Sequence, residues 1–129
     1  MKEFSRFFSH TFAVFGAAGH AEALLAQQAP TWQPPIDIYE CSGRICIFVE
    51  LPGVDKDRLD VSVEAGVLRI EGYRPKNLPD SVERVHQMEI SYGHFARFVR
   101  LPETADVPQI NAKYENGYLA IEIPRKAGS

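Results

Sequence analysis

The chain reads as an all-β protein, an antiparallel β-sandwich preceded by an N-terminal arm that is partly helical or disordered. Three observations carry that reading. The apolar period changes from helical to alternating near Pro30, a series of short alternating runs with turn residues between them follows, and no long helical pattern occurs after residue 35.

In chain order, the arm comes first. Residues 1–29 hold five of the eight phenylalanines, Phe4, Phe7, Phe8, Phe12 and Phe15, and no proline. Their spacings of three and four residues place all five on one face of a helix. The stretch PTWQPP at 30–35 then removes backbone donors and favours extended chain, which ends any helix and marks a boundary. The organisation expected is an arm over 1–31, a sandwich over 32–125 and a short tail over 126–129.

Seven strands are expected: Ile36 to Glu40, Arg44 to Leu51, Leu59 to Glu64, Val67 to Tyr73, Phe95 to Leu101, Ile110 to Glu115 and Tyr118 to Ile123. In the third, Leu59, Val61 and Val63 alternate with Asp60, Ser62 and Glu64, giving one dry and one wet face. Asn116 and Gly117 separate two alternating runs and form the favoured two-residue hairpin turn, where both positions take positive φ. The long connection from Arg74 to His94 is polar at its start, while VERVHQMEI within it has the composition of one more short strand. A connection of this length in a small sandwich is usually functional or engaged with another subunit.

The bulk numbers narrow the function. At 129 residues the chain suits one domain plus an arm, and 45% apolar with 24% charged residues is ordinary for a globular protein. A net charge of -3 with scattered basic residues offers no stripe for nucleic acid. Two cysteines, Cys41 and Cys46, make no disulfide framework and fit a reducing cytoplasm. The apolar run Phe12 to Gly19 follows Lys2 and Arg6, but it is too short for a membrane span and Glu3, His20 and Glu22 spoil it as a signal peptide.

Residues that would serve an enzyme do not assemble into a recognisable motif. His10, His20, His86 and His94 lack zinc-helix spacing, and the cysteines lack the CxxC spacing of a structural zinc site. Cys46 falls in a strand, where a thiol ordinarily acts as a small buried apolar group, while Cys41 stands at a turn where exposure would permit oxidation, although nothing in the sequence predicts a depressed pKa there. Asp55, Asp57, Asp60 and Glu64 fit a solvated strand face better than an acid–base pair, and Gly16 and Gly19 lack the rest of a nucleotide fingerprint. No catalytic residue, metal or cofactor is expected.

Residues Trp32 to Arg125 resemble the alpha-crystallin domain of small heat-shock proteins. The resemblance rests on WQPPIDIYE, then IFVELPGVDKDRLDVSVEAGVLRIEGYR with Leu51, Pro52, Gly53 and Gly66, then MEISYGHFARFVRLPETAD with Glu89, Gly93, Phe95, Arg97, Leu101 and Pro102, and last AKYENGYLAIEIP with Ala112, Asn116, Gly117 and Leu119. Each piece alone is weak; their order and spacing together are specific. The resemblance implies an immunoglobulin-like sandwich and an ATP-independent holdase. It also implies a homodimer formed by strand exchange, with Val85, His86, Gln87, Met88 and Glu89 as the exchanged strand and Arg97 near the interface. Glu83 or Glu89 is then the partner of Arg97, the alternative being that Arg97 is a solvated strand residue.

The family's C-terminal I-x-I docking segment is matched in letters by Ile121, Glu122 and Ile123, which read better as the last strand, with only RKAGS after Pro124. The groove flanked by Leu59, Val61 and Val63 on one side and Ile110 and Ala112 on the other is therefore expected to be open or filled by the arm, and large cages are in doubt. Ile90 also departs from the family, where arginine is common. Client binding is expected at that groove and at the phenylalanine face of the arm, because large apolar surface marks an interaction site; the alternative is an arm packed against its own sandwich.

The function expected is thus a cytoplasmic chaperone that holds partly unfolded proteins in solution as a homodimer or larger homo-oligomer, without nucleic acid. The alternative is a co-chaperone or adaptor of the same architecture that binds one folded partner. A membrane-surface stabiliser using the N-terminal helix is a third reading.

Overall fold

The computed structural model describes the backbone of residues 2–3 and residues 31–128 in full. Phe4, Phe7, Phe8, Phe12 and Phe15 lie outside the described residues. Among the described residues there are eight strands: β1 (Lys2–Glu3), β2 (Ile36–Cys41), β3 (Arg44–Glu50), β4 (Asp60–Glu64), β5 (Val67–Arg74), β6 (Gly93–Arg100), β7 (Asn111–Glu115) and β8 (Tyr118–Pro124). They form two antiparallel sheets, one ordered β1-β7-β8-β3-β2 and the other β4-β5-β6. The seven expected strands are all present, with ends shifted by a residue or two.

Alternation explains both faces of β3, whereas in β4 Ser62, expected on a wet face, is only 3% exposed and so buried along with Val61 and Val63. In β3, Ile45, Ile47 and Val49 are buried while Arg44, Phe48 and Glu50 are exposed, and the directly opposite residues of β8 are Ile123, Ile121 and Leu119. Val61, Val63, Leu68, Ile70, Phe95 and Val99 from the smaller sheet close over them to complete the core. Burial of side chains of this size contributes about 1.5–3 kcal/mol each. Phe95 is fully buried and lies under Gly72, where an added Cβ would come within 2.5 Å of the ring. Glycine at 72 is what lets the ring sit flat beneath β5.

Turn chemistry follows the residues. Asn116 and Gly117 have φ of 53° and 82°, the mirror-image turn expected of that pair. Gly117 also lies against Pro52, and its carbonyl accepts from Leu51 N at 2.7 Å, so one hairpin tip fastens the end of β3. Asp55 accepts from Asp57 N at 3.1 Å and starts the short 3-10 turn Lys56–Arg58 that delivers Leu59 and β4.

The chain crosses from one sheet to the other at its start. Thr31 N donates to His94 O at 2.9 Å, Trp32 bridges Phe95 in parallel, and Trp32 Nε1 donates to Gly93 O at 3.1 Å, so residues 31–32 line the outer edge of β6. Pro34 and Pro35 then carry the chain over to β2. The indole packs at 5.2 Å on the Phe95 ring and is capped by the Arg74 guanidinium at 4.1 Å, a stacked cation–π arrangement.

Two expectations need amendment. Within the single chain residues 75–92 form no strand, since an alternating run becomes a strand only when another edge pairs with it and no described strand of the same chain does so; the expected pairing of Val85 to Glu89 is with a second subunit. Cys46 is half-buried on the outward face of β3 and is not a core residue, because it is out of phase with Ile45 and Ile47.

Candidate functional site

Among the described residues, five strands packed on three leave one flank of the larger sheet without cover. β2 is its terminal strand, with a hydrogen-bonded neighbour on one side only. Ile38 points to the same side as buried Ile47, its direct partner, yet is 49% exposed, because no strand of the smaller sheet extends over it. The result is an open groove of about 450 Å³ walled by Ile38, Ile45, Ile47, Val99, Leu101 and Pro102, with Glu40 and Arg100 at its rim. An unpaired strand edge above an apolar groove is a template for β-augmentation by an extended apolar segment.

Such a segment exists in the same chain. Leu78, Val82, Val85, Met88 and Ile90 are all exposed, Ile90 to 65%, and none belongs to a strand. Within it Gln87 Nε2 donates to Glu89 Oε2, and His86 is exposed. Arg74 Nε reaches back to Ser91 O at 2.8 Å and holds the segment's downstream end.

Arg97 lies on the core-facing side of β6 between Phe95 and Val99, half-buried, and its Nη1 donates to Pro34 O at 3.4 Å. It therefore braces the crossing into β2. Neither Glu83 nor Glu89 pairs with it within the single chain.

Leu59, Val61, Val63, Ile110 and Ala112 are placed together by β4 and the start of β7, but every one is buried in the core. The edge of β7 is already paired with β1, Lys2 opposite Tyr114 and Glu3 opposite Lys113. Tyr114 Oη donates to Leu51 O and closes that end of the seam. The apolar seam read from sequence is thus interior in this state, and the exposed apolar groove is the one beside β2. Sequence reading overlooked it because Ile38 alternates like any inward residue; the unequal strand counts of the two sheets are what uncover it.

The smaller sheet carries one further polar cluster. Glu71 is 7% exposed, with Arg69 Nε at 2.8 Å from one oxygen and His94 Nε2 at 3.8 Å from the other. Burial pushes its carboxyl up to about 7, against the pull of Arg69, with Asp60 adding to the rise. A carboxyl whose value rises on folding stabilises the native state while protonated, and that contribution is lost as pH climbs from about 4.5 through 7. Glu71→Gln is therefore expected to flatten the fall in thermal midpoint between pH 5 and 8 and to gain on the order of 2 kcal/mol at the alkaline end. Parallel pH-dependent slopes for the two proteins would show that Glu71 does not titrate there.

Among the described residues no three potential ligands gather to hold a metal, and no helix is long and apolar enough to cross a membrane.

Comparison with known proteins agrees with this architecture. The small heat-shock protein from Xylella fastidiosa superposes with a TM-score of 0.69 at 34% identity, over 76% of this chain and 90% of that one. HspA from Xanthomonas axonopodis does so with the same score and identity, over 77% and 99%. Small heat shock protein C4 of Rickettsia felis is 33% identical over 96 residues, 74% of this chain and 59% of that protein. The 16.9 kDa class I heat shock protein 3 of Oryza sativa subsp. japonica is 46% identical over 77 residues, 59% of this chain and 52% of the relative. The chain thus spans between half and two thirds of the length of these curated relatives. The model of the Hsp20/alpha crystallin family matches residues 37–129, and this chain, with its two-sheet sandwich and its relatives among small heat-shock proteins, belongs to that family.

Proposed function

We propose that the protein is an ATP-independent holdase that binds partly unfolded proteins and prevents their aggregation under heat or other stress. The observation that carries this reading is the pairing, in one chain, of an uncovered β2 edge and groove with an exposed apolar segment that has no strand partner. Two copies satisfy each other: Val85, His86, Gln87, Met88 and Glu89 of one lie along β2 of the other, and Arg97, next to the crossing into β2, stands close to the junction. Edge pairing of this kind consumes backbone groups that otherwise invite uncontrolled association.

Clients have the same chemistry as the exchanged segment, being extended and apolar. They compete for the β2 groove when subunits separate, and they meet the phenylalanines Phe4, Phe7, Phe8, Phe12 and Phe15. The seam formed by Leu59, Val61, Val63, Ile110 and Ala112 takes part only when β4 and β7 open locally, a costly fluctuation that heating makes more frequent. Capturing unfolded chains by mass action competes with their aggregation and consumes no nucleotide. The proposed compartment is the cytoplasm, and no catalytic step is involved.

The test is native mass by light scattering on warming, combined with turbidity of a heat-labile client without ATP. A dimer or larger species that suppresses turbidity, with suppression reduced on removal of residues 1–30, is expected. A monomer that leaves client turbidity unchanged would overturn the proposal.

A further inference from the structure

Cys41 and Cys46 share the outward face of the β2–β3 hairpin. They are diagonal across the ladder, Cys41 opposite Arg44 and Cys46 opposite Tyr39. Their sulfurs are 3.9 Å apart, with the Cys41 thiol donating toward Cys46 Sγ, and both residues are half-buried. The Arg44 guanidinium reaches the Cys46 sulfur on the same face and is held there by Glu122, Nε to Oε2 3.6 Å. Two thiols in contact, with a cation beside one of them, form an arrangement that a structural role as packing residues does not require.

We infer that Cys41 and Cys46 are an oxidation-responsive pair that closes a disulfide within one subunit, across the tip of the β2–β3 hairpin. Cys46 is the attacking sulfur, since it accepts the Cys41 S–H and faces the guanidinium. Cys41 is the resolving sulfur, and contact with Cys46 holds its thiol above the ordinary value and so protonated until the second step.

The oxidant is a small disulfide such as glutathione disulfide. The Cys46 thiolate attacks one of its sulfurs, the oxidant's S–S bond breaks, and one glutathione leaves with its electron pair, giving a mixed disulfide on Cys46. Cys41 loses its proton to solvent and attacks the Cys46 sulfur, and the second glutathione leaves. Two protein thiols give up two protons and two electrons, which appear on the two released glutathione thiols.

Closure brings the sulfurs from 3.9 Å to about 2.05 Å by rotating both side chains and shifting the backbone at the hairpin tip. Diagonal positions are farther apart than directly opposite ones, so the bond draws the hairpin tip inward and is readily reopened by excess thiol. That suits a reversible mark. A second thiol already in contact also outcompetes one on another molecule. The inference does not depend on the proposed dimer.

The experiment treats the full-length folded protein with glutathione disulfide at neutral pH and follows intact mass and free thiols. Wild type is expected to lose two hydrogens and both thiols, without covalent dimers, and to regain them in dithiothreitol. Cys41→Ser is expected to stop at one glutathionyl adduct on Cys46, with Cys46→Ser reacting about tenfold more slowly at Cys41. If either serine variant fails to fold, the alanine variant replaces it. Stable glutathionyl adducts on wild type, covalent dimers, or two unreacted thiols would overturn the disulfide. Equal rates in the two single variants would overturn the assignment of Cys46 as the attacking sulfur.

Discussion

Phe95→Ala is expected to cost about 3–5 kcal/mol, a large fraction of the stability of a domain of this size. The ring is fully buried, fills the space that Gly72 leaves open, and supports the Trp32 indole on its other side. Its removal creates a cavity beneath β5 that cannot collapse, since Gly72 has no side chain to move into it. It also takes away the floor on which Trp32 and the Arg74 guanidinium stack. Chemical denaturation followed by tryptophan fluorescence reads both effects, because Trp32 is the only tryptophan. A loss under about 1 kcal/mol would mean that the core repacks around the vacancy.

The second large effect concerns association. Val85→Asp combined with Met88→Asp places two carboxylates on side chains that are 58% and 48% exposed in the single chain. Such exposed sites contribute little to the sandwich itself, so the thermal midpoint of the subunit is expected to move by about 1 kcal/mol equivalent or less. If these residues are the anchors that fill the groove beside β2, dimer affinity is expected to fall by about two orders of magnitude or more, read as concentration-dependent mass in sedimentation or light scattering. Unchanged mass at all concentrations would show that the segment is not the joint between subunits.

Much of the fold was legible from the residues because the signals are local. The inward set Leu59, Val61 and Val63, the buried set Ile45, Ile47 and Val49, and the Asn116-Gly117 turn depend on neighbours within a few positions, and each appears where the pattern placed it, although Ser62, read as part of a wet face, is buried as well. The candidate site was less legible because it depends on how many strands lie on each side. Ile38 and Ile47 have the same pattern, yet one is half exposed and the other buried, and the difference lies in strands distant in sequence. Cys46 was misplaced for a different reason: a short strand rich in apolar residues on both faces, Ile45 inward and Phe48 outward, gives no clear phase to a cysteine between them. Likewise, the raised carboxyl of Glu71 arises from burial, which one strand's composition does not report.

The anchorage of Trp32 along β6 bears on the order in which parts of the molecule let go. Thr31 and Trp32 are held to residues more than sixty positions downstream by two backbone contacts, by the Thr31 hydroxyl against Tyr92 O at 2.9 Å and His94 O at 3.2 Å, by one indole hydrogen bond and by a pair of tilted rings in contact. Contacts across so long a loop form late in folding, after β5 and β6 have paired, and they are few compared with the full ladders of the sandwich. These few contacts are expected to open below the temperature at which the two sheets separate, while the pairing of Lys2 and Glu3 with β7 is a separate attachment. Warming is then expected to loosen the crossing from β6 into β2 while the sandwich keeps its shape, a graded thermal response before the cooperative one.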